Sequence, residues 1–174
     1  VVEPVFAGGA GETLISSTAI RRAVREGRIA AAAAMLGRPY AIEGAVVRGR
    51  GIGKQLGYPT VNCVPENALV PPEGIYVTTA TIGERPYPAA TYIGRNPTFG
   101  GTTLVVETFL LDFAGEMSAD RIEVAFHDRL RDDIRFASRE ALTAQIAKDV
   151  AAARAYHSDP CPVDNSPQKS RTLL

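Results

Sequence analysis

The spacing of apolar positions changes character near residue 40. Ahead of it the pattern is helical. Ser16, Ser17 and Thr18 are good N-cap residues, and Ile20 and Val24 follow four apart. This predicts a helix that Gly27 ends. An Ala-rich run over about 28–36 predicts a second helix, stopped by Gly37 and followed by Arg38-Pro39. From residue 40 onward, short β-branched or aromatic runs are broken by Gly, Pro and Asn. They predict strands at 41–48, 74–82, 87–94, 104–113 and 121–126. Gly83-Glu84-Arg85 and Phe113-Ala114-Gly115-Glu116 are turn signals. No helical period interrupts the strands, which argues against βαβ units and for a small antiparallel barrel. Helical spacing returns once: Ser138 can cap a helix over about 139–156, with Leu142, Ile146 and Val150 along one face. Residues 158–174, with three prolines and little apolar content before the last two leucines, are expected to be disordered.

Composition narrows the class of function. A chain of 174 residues with 45% hydrophobic content can fill one ordinary domain with an attachment. Nineteen basic and 19 acidic residues cancel, which argues against a nucleic-acid binder with a broad basic face. No apolar run approaches the ~20 residues that span a bilayer. No secretory leader is visible, so a cytoplasmic location is expected. Cys63 and Cys161 are far apart and form no C-x-x-C, so a buried thiol and a tail thiol are expected rather than a disulfide or a metal site. No obligate protein partner is implied.

The stretch RGRGIGKQLGYPTVN, residues 48–62, carries the candidate chemistry. It holds Gly49, Gly51, Gly53 and Gly57, with Arg48, Arg50 and Lys54 among them. Glycines at this density let backbone N–H groups turn toward one point, and the basic residues add positive charge. Thr60 and Asn62 then offer hard oxygens suited to Mg²⁺. A mobile basic surface loop and a polyphosphate cradle both fit this pattern. Neither G-x-x-x-x-G-K-[ST] nor G-x-G-x-x-G is present.

The run G-x-G-x-x-x-L-G-Y-P-T-V-N resembles the signature of riboflavin kinases. VPPEGIY (70–76), YIGRNPTF (92–99), VETFLLDF (106–113) and FASREALTAQIAKDV (136–150) follow in that family's order and spacing. The resemblance covers about residues 40–155. It implies a six-stranded Greek-key barrel with a C-terminal helix, preceded here by two short helices. It also implies ATP and riboflavin as substrates, FMN and ADP as products, and Mg²⁺ held by Thr60 with help from Asn62.

Phosphoryl transfer needs a phosphate cradle, a metal and an aligned nucleophile. Gly51, Gly53, Lys54 and Gly57 suit the first, with Thr60 and Asn62 for the second. Glu107 lies in an otherwise apolar strand, where alternation could simply turn it to a wet outer face. The family resemblance makes it the general base. Asp112 reads as a turn residue. The resemblance also suggests that a loop of Asn96, Pro97, Thr98 and Phe99, together with Arg131, binds the flavin. Arg131 could equally form a surface ion pair with Asp132, Asp133 or Glu140. Tyr76 reads as core, and His127 as a strand-end surface residue. Two departures from the family stand out: Ile52, where many members carry a basic residue, and Phe109, where relatives often have His.

Residues 1–37 hold a second resemblance. ISSTAIR (15–21) is similar to a word of nucleotidyltransferases, including the adenylyltransferase half of bacterial bifunctional FAD synthetases. A helix cap explains Ser16, Ser17 and Thr18 equally well. A phosphate site at a helix N-terminus, with Arg21 as counter-charge, is the functional alternative. That family's H-x-G-H is absent, since the chain has only His127 and His157. Residues 1–37 are therefore expected to be the tail of an adenylyltransferase domain, ahead of a kinase barrel over 38–157. A bifunctional FAD synthetase and a non-catalytic flavin-binding barrel are the alternatives to a riboflavin kinase.

Overall fold

The computed structural model describes residues 6–7, 13–49, 51–98, 101–113 and 119–158. In chain order the elements are β1 (Phe6–Ala7), β2 (Thr13–Leu14), α1 (Ser17–Arg25), α2 (Ile29–Leu36), β3 (Tyr40–Val47), α3 (Ile52–Gln55), β4 (Thr60–Pro65), β5 (Gly74–Ile82), β6 (Arg85–Thr98), β7 (Gly101–Leu110), β8 (Arg121–Arg131) and α4 (Arg139–Ser158). Strands β3 to β8 close into an antiparallel barrel in the order β3-β4-β7-β6-β5-β8. Pairing of β3 with β8, from Tyr40↔Phe126 to Ala45↔Arg121, seals it.

Five of the six barrel strands fall where the apolar alternation put them. The sixth, β4, begins at Thr60, inside the stretch read as a ligand loop. Its own alternation is plain once it is paired: Val61 and Cys63 are buried, while Thr60 and Asn62 turn outward. Asn96, Pro97 and Thr98, expected in a loop, instead extend β6 and pair with β7 as far as Thr98↔Gly101. The two-residue turn Gly83-Glu84 joins β5 to β6, as the turn signal predicts. The residue-158–174 tail, Cys161, Phe99 and most of the Phe113–Glu116 turn signal lie outside the described residues.

The interior is filled by Ile42, Tyr76, Ile93, Val106, Val124 and Phe126 among others, and Tyr76 meets Phe126 edge to face at 5.3 Å. Cys63 is a buried free thiol in this core. Three hydroxyls cross it in a chain: Thr78 bonds Thr91 at 2.8 Å, and Thr91 bonds Thr108 at 2.9 Å. Each buried hydroxyl thus finds a partner, which removes the desolvation cost of placing it there. A full interior leaves no room for a substrate, so chemistry is pushed to the outer wall. There α4 packs Val150 and Ala153 against Val77, Ala90 and Leu111.

The helical pair is joined to the barrel. Ser16 caps α1 by accepting from the Ala19 N–H at 3.1 Å, and Gly37 ends α2 in a left-handed conformation. Ala23, Val24, Ala32 and Met35 form a small core of their own, flanked by Tyr40 and Leu69. Ile29 of α2, 2% exposed, belongs to the barrel core itself. Among the described residues, no helix is long and apolar enough to cross a membrane.

The position of His127 differs from the expectation. It lies within β8, half-buried, at a register shift between Val77↔Asp128 and Thr78↔Phe126. Its Nε2 meets Thr79 Oγ1 at 2.7 Å, and its ring faces Tyr156 and His157 of α4, whose Nε2 donates to the Thr78 carbonyl at 3.0 Å. Burial, and then the nearby His157, push the His127 pKa below the usual 6.5.

Two outcomes follow. Ile29→Ala should lower unfolding free energy by about 2–5 kcal/mol in urea melts, because it opens a cavity in the barrel core. For His127, the unfolded chain takes up a proton near pH 6.5 and the folded one only at lower pH. Its contribution is therefore complete above pH 6.5 and is lost as pH falls through that value toward the folded pKa. Unfolding free energy measured from pH 7 to pH 5 should drop less in His127→Gln than in the parent chain.

Candidate functional site

Cross-strand pairing lines up one outward-facing row. Asn62 of β4 pairs with Glu107 of β7, Glu107 with Tyr92 of β6, Tyr92 with Ile75 of β5, and Ile75 with Arg131 of β8. Residues so opposed on one face have Cβ atoms roughly 5 Å apart. Glu107 is thus an outward-facing strand glutamate, as its alternation allows. It is not a wet one, because it is half-buried in the wall of a cavity. The next row, Thr60↔Phe109 and Phe109↔Ala90, lies beside it.

The cavity has a volume of about 350 Å³. Its back is the barrel wall: Thr60, Ile75, Ala90, Tyr92, Glu107 and Phe109. Its sides are Leu56 and Tyr58 from the glycine loop, Ile134 and Phe136 from the β8–α4 connection, and Leu142, Ile146 and Val150 from α4. Most of this lining is apolar, with Tyr58 edge-on to Phe109 at 5.4 Å. At one end the Thr60 hydroxyl stands 3.4 Å from Glu107 Oε2.

The glycine loop is folded on itself. The Gly53 carbonyl accepts from the Leu56 and Tyr58 N–H groups at 3.0 and 2.8 Å. Gly51 and Gly57 take φ of +70° and +85°, a region L side chains rarely adopt. Gly53 is required for a different reason: a Cβ there would run into the Tyr58 carbonyl and press on Thr60 Oγ1 at 3.3 Å. The loop therefore lies directly against the threonine. Gly53 lines the cavity, whereas Gly51, Lys54 and Gly57 sit on the exposed rim. The Asn62 amide packs against Gly49, at a place a Cβ would fill.

Arg131 lines the same cavity, and its ion pair is not the one expected from sequence. Its partner is Asp149 of α4. The Arg131 Nε donates to Asp149 Oδ1 at 3.0 Å, and Nη2 donates to Oδ2 at 2.7 Å. The two side chains are 18% and 9% exposed. Nη1 donates to the Asp132 carbonyl, and Gln145 Nε2 adds a bond to Asp149 Oδ1 at 2.9 Å. A fork-on-carboxylate pair at this depth fixes the guanidinium plane. It also explains an acid on the packed face of α4. Asp149 follows Ile146 by three, so helical spacing alone placed it on the apolar stripe; the sequence reading did not single it out. Tyr92, Asp133, Tyr58 and Phe109 are further lining residues that it did not assign to the site. The backbone of Asn96 and Thr98 lies at the end of β6. Ser17, Thr18 and Arg21 are exposed on α1, away from this row.

Among the described residues, no group of three or more His, Cys, Asp or Glu could hold a metal ion. Thr60, Asn62 and Glu107 offer two neutral oxygens and one carboxylate. That set fits an ion that keeps most of its shell for phosphates and water, as Mg²⁺ does.

Comparison with known proteins gives a consistent answer. The family model described as "Flavokinase: Riboflavin kinase" matches residues 36–157. The chain is 39% identical over 147 residues to the bifunctional riboflavin kinase/FMN adenylyltransferase of Escherichia coli K12, covering 84% of this chain and 47% of that protein. It is 42% identical over 142 residues to the protein of the same description from Pseudomonas fluorescens, covering 81% and 46%. The chain thus spans about half the length of the curated relatives it matches. Among solved structures, riboflavin kinase from Trypanosoma brucei superposes with a TM-score of 0.51 at 25% identity, covering 76% of this chain and 93% of that one. A Streptococcus pneumoniae structure described as a macrolide-efflux protein superposes with a TM-score of 0.79 at 34% identity, covering 88% and 50%. By the match across its whole barrel and α4, the chain belongs to the riboflavin kinase family.

Proposed function

We propose that this chain transfers the γ-phosphoryl group of ATP to the 5′-hydroxyl of riboflavin, giving FMN and ADP. The observation that carries this reading is the end of the cavity, where Thr60 Oγ1 stands 3.4 Å from Glu107 Oε2 beneath the glycine loop. A phosphate site and a candidate base thus share one cavity with an apolar slot of flavin-like size. The 93% coverage of the trypanosomal riboflavin kinase supports a kinase unit that works from the barrel, its loops and α4.

In this reading the flat ring system enters between Leu56, Tyr58 and Phe109 on one side and Ile146 on the other. Its primary hydroxyl reaches Glu107. As that oxygen bonds to the γ-phosphorus, Glu107 Oε2 takes the hydroxyl proton, and the bond from phosphorus to the β–γ bridging oxygen breaks to release ADP. Backbone around Gly51, Gly53 and Gly57, with Lys54 on the rim, borders the phosphates. Thr60 and Asn62 are the residues that would hold Mg²⁺, which supplies charge neutralisation for the phosphates when bound. Arg131 is pinned by Asp149, so it presents a fixed planar face and not a free charge to the flavin. Asn96, Thr98 and Phe99 complete the flavin contacts in this reading. The exposed Ser17, Thr18 and Arg21, with Ser16 engaged as a cap, fit the tail of an adenylyltransferase unit ahead of the kinase. The relatives' second named activity would need the rest of that unit.

Chromatography of a mixture of protein, riboflavin, ATP and MgCl₂ should show FMN, and absence of FMN sinks the proposal. FAD appearing in the same run would add the second activity. Glu107→Gln should lower kcat by about 10²–10⁴-fold while leaving ADP binding by calorimetry intact. Full activity in that variant would remove Glu107 from the role of base.

A further inference from the structure

Tyr92 has no task in the phosphoryl transfer just described, yet it occupies the centre of the outward row. It stands directly opposite Glu107 on one side and Ile75 on the other. Its ring lies back along its own strand over Gly94, where a Cβ would collide with the phenol; only glycine leaves room for that pose. From there the hydroxyl donates to Asp133 Oδ2 at 3.3 Å, on the connection between β8 and α4. The pair bridges the barrel wall and the mouth of the cavity. Around it the lining turns apolar, with Ile75 below and Ile134 beside Asp133.

The chemistry of the pair is specific. The phenol proton is committed to the carboxylate. What remains on offer is lone pairs: those of the phenol oxygen and of the second Asp133 oxygen. Such a pair accepts hydrogen bonds from hydroxyl groups. Burial pushes the Tyr92 pKa up to about 12, with Asp133 and Glu107 adding to the rise, so the phenol stays a neutral donor toward Asp133 at working pH. Position along the row supplies the rest. The reacting hydroxyl belongs at Glu107 and the flat ring belongs in the slot toward α4. Whatever joins them must pass Tyr92.

We propose that Tyr92 and Asp133 form a polyol-recognition pair, accepting hydrogen bonds from the secondary hydroxyls that lie between the reacting primary hydroxyl and the aromatic ring of the acceptor. This deepens the riboflavin kinase reading and rests on it. The pair sets which side chain the acceptor carries, and Gly94 fixes it in place before the acceptor arrives, so little ordering is left to be done on binding. A chain of bare methylenes in the same place would leave the Asp133 oxygen and the phenol without the partners that a polyol gives them.

The test compares two ligands by quenching of flavin fluorescence. One is riboflavin. The other is the same isoalloxazine with a 5-hydroxypentyl chain on N10, which keeps the primary hydroxyl and lacks the secondary ones. Tyr92→Phe keeps the ring over Gly94 and removes the hydroxyl; Asp133→Ala removes its partner. Each should weaken riboflavin binding by about 3- to 10-fold and change the analogue by less than about two-fold. The double variant should lose no more than the worse single one, because the two groups act as a unit. Equal losses for both ligands would mean a packing role and overturn the proposal, as would unchanged riboflavin binding in both variants. If the parent chain binds riboflavin and makes FMN while either of those results holds, only the polyol reading falls. A parent chain that binds no riboflavin removes the kinase reading and this one with it.

Discussion

Register between neighbouring strands is the constraint on which this molecule depends. Side chains on a strand alternate, so a pairing slip of one residue would turn a whole set to the other face. Here Asn62, Glu107, Tyr92, Ile75 and Arg131 come from five different strands and share one face only because every ladder between them is in register. The barrel interior cannot host a substrate, since Tyr76, Phe126, Ile42 and their neighbours fill it. The site is therefore an outer-wall site, roofed by the glycine loop and α4.

The β5–β8 ladder shows how finely this is set. Extending the Thr78↔Phe126 pairing would bring Arg129 opposite Ile75. Two register shifts intervene, and Arg131 arrives there instead. Extra residues in one strand bend it and re-aim its side chains. Arg129 turns the other way, with its guanidinium over the Tyr76 ring and Nη2 on the Glu73 carbonyl. Two arginines with one residue between them thus take unrelated tasks. The same shift frees His127 to contact Thr79 and the end of α4.

Helix α4 does two things at once. Val150 and Ala153 bury the outer wall. Asp149, one position earlier, holds Arg131 in a forked pair with little solvent around it. Paired charges at such depth cost desolvation that only good geometry offsets, and removing one partner leaves the other stranded. That coupling makes α4 part of the cavity rather than a lid on it. The β8–α4 connection is held in turn, by Arg131 on the Asp132 carbonyl, by Tyr92 on Asp133, and at its end by Arg139 donating to the Gln55 carbonyl of the glycine loop.

Much of this was legible in the linear chain. The 3.6-residue period of α4, the caps at Ser16 and Ser138, the turn at Gly83-Glu84 and five barrel strands follow from local preference and side-chain alternation. Those are properties of short segments. The glycines and oxygens of residues 51–62 marked a phosphate-like loop by composition, although β4 was hidden there because Thr60 and Asn62 were read for their oxygens and not for their alternation. Folding decided the rest. No local signal says that Asp149 rather than Asp132, Asp133 or Glu140 pairs with Arg131, because helix and strand meet only when α4 docks. None says that Ile29 belongs to the barrel core, or that Tyr92 reaches Asp133. Pairwise distances between residues far apart in sequence depend on register shifts and docking, and these are settled by the packing of the whole chain.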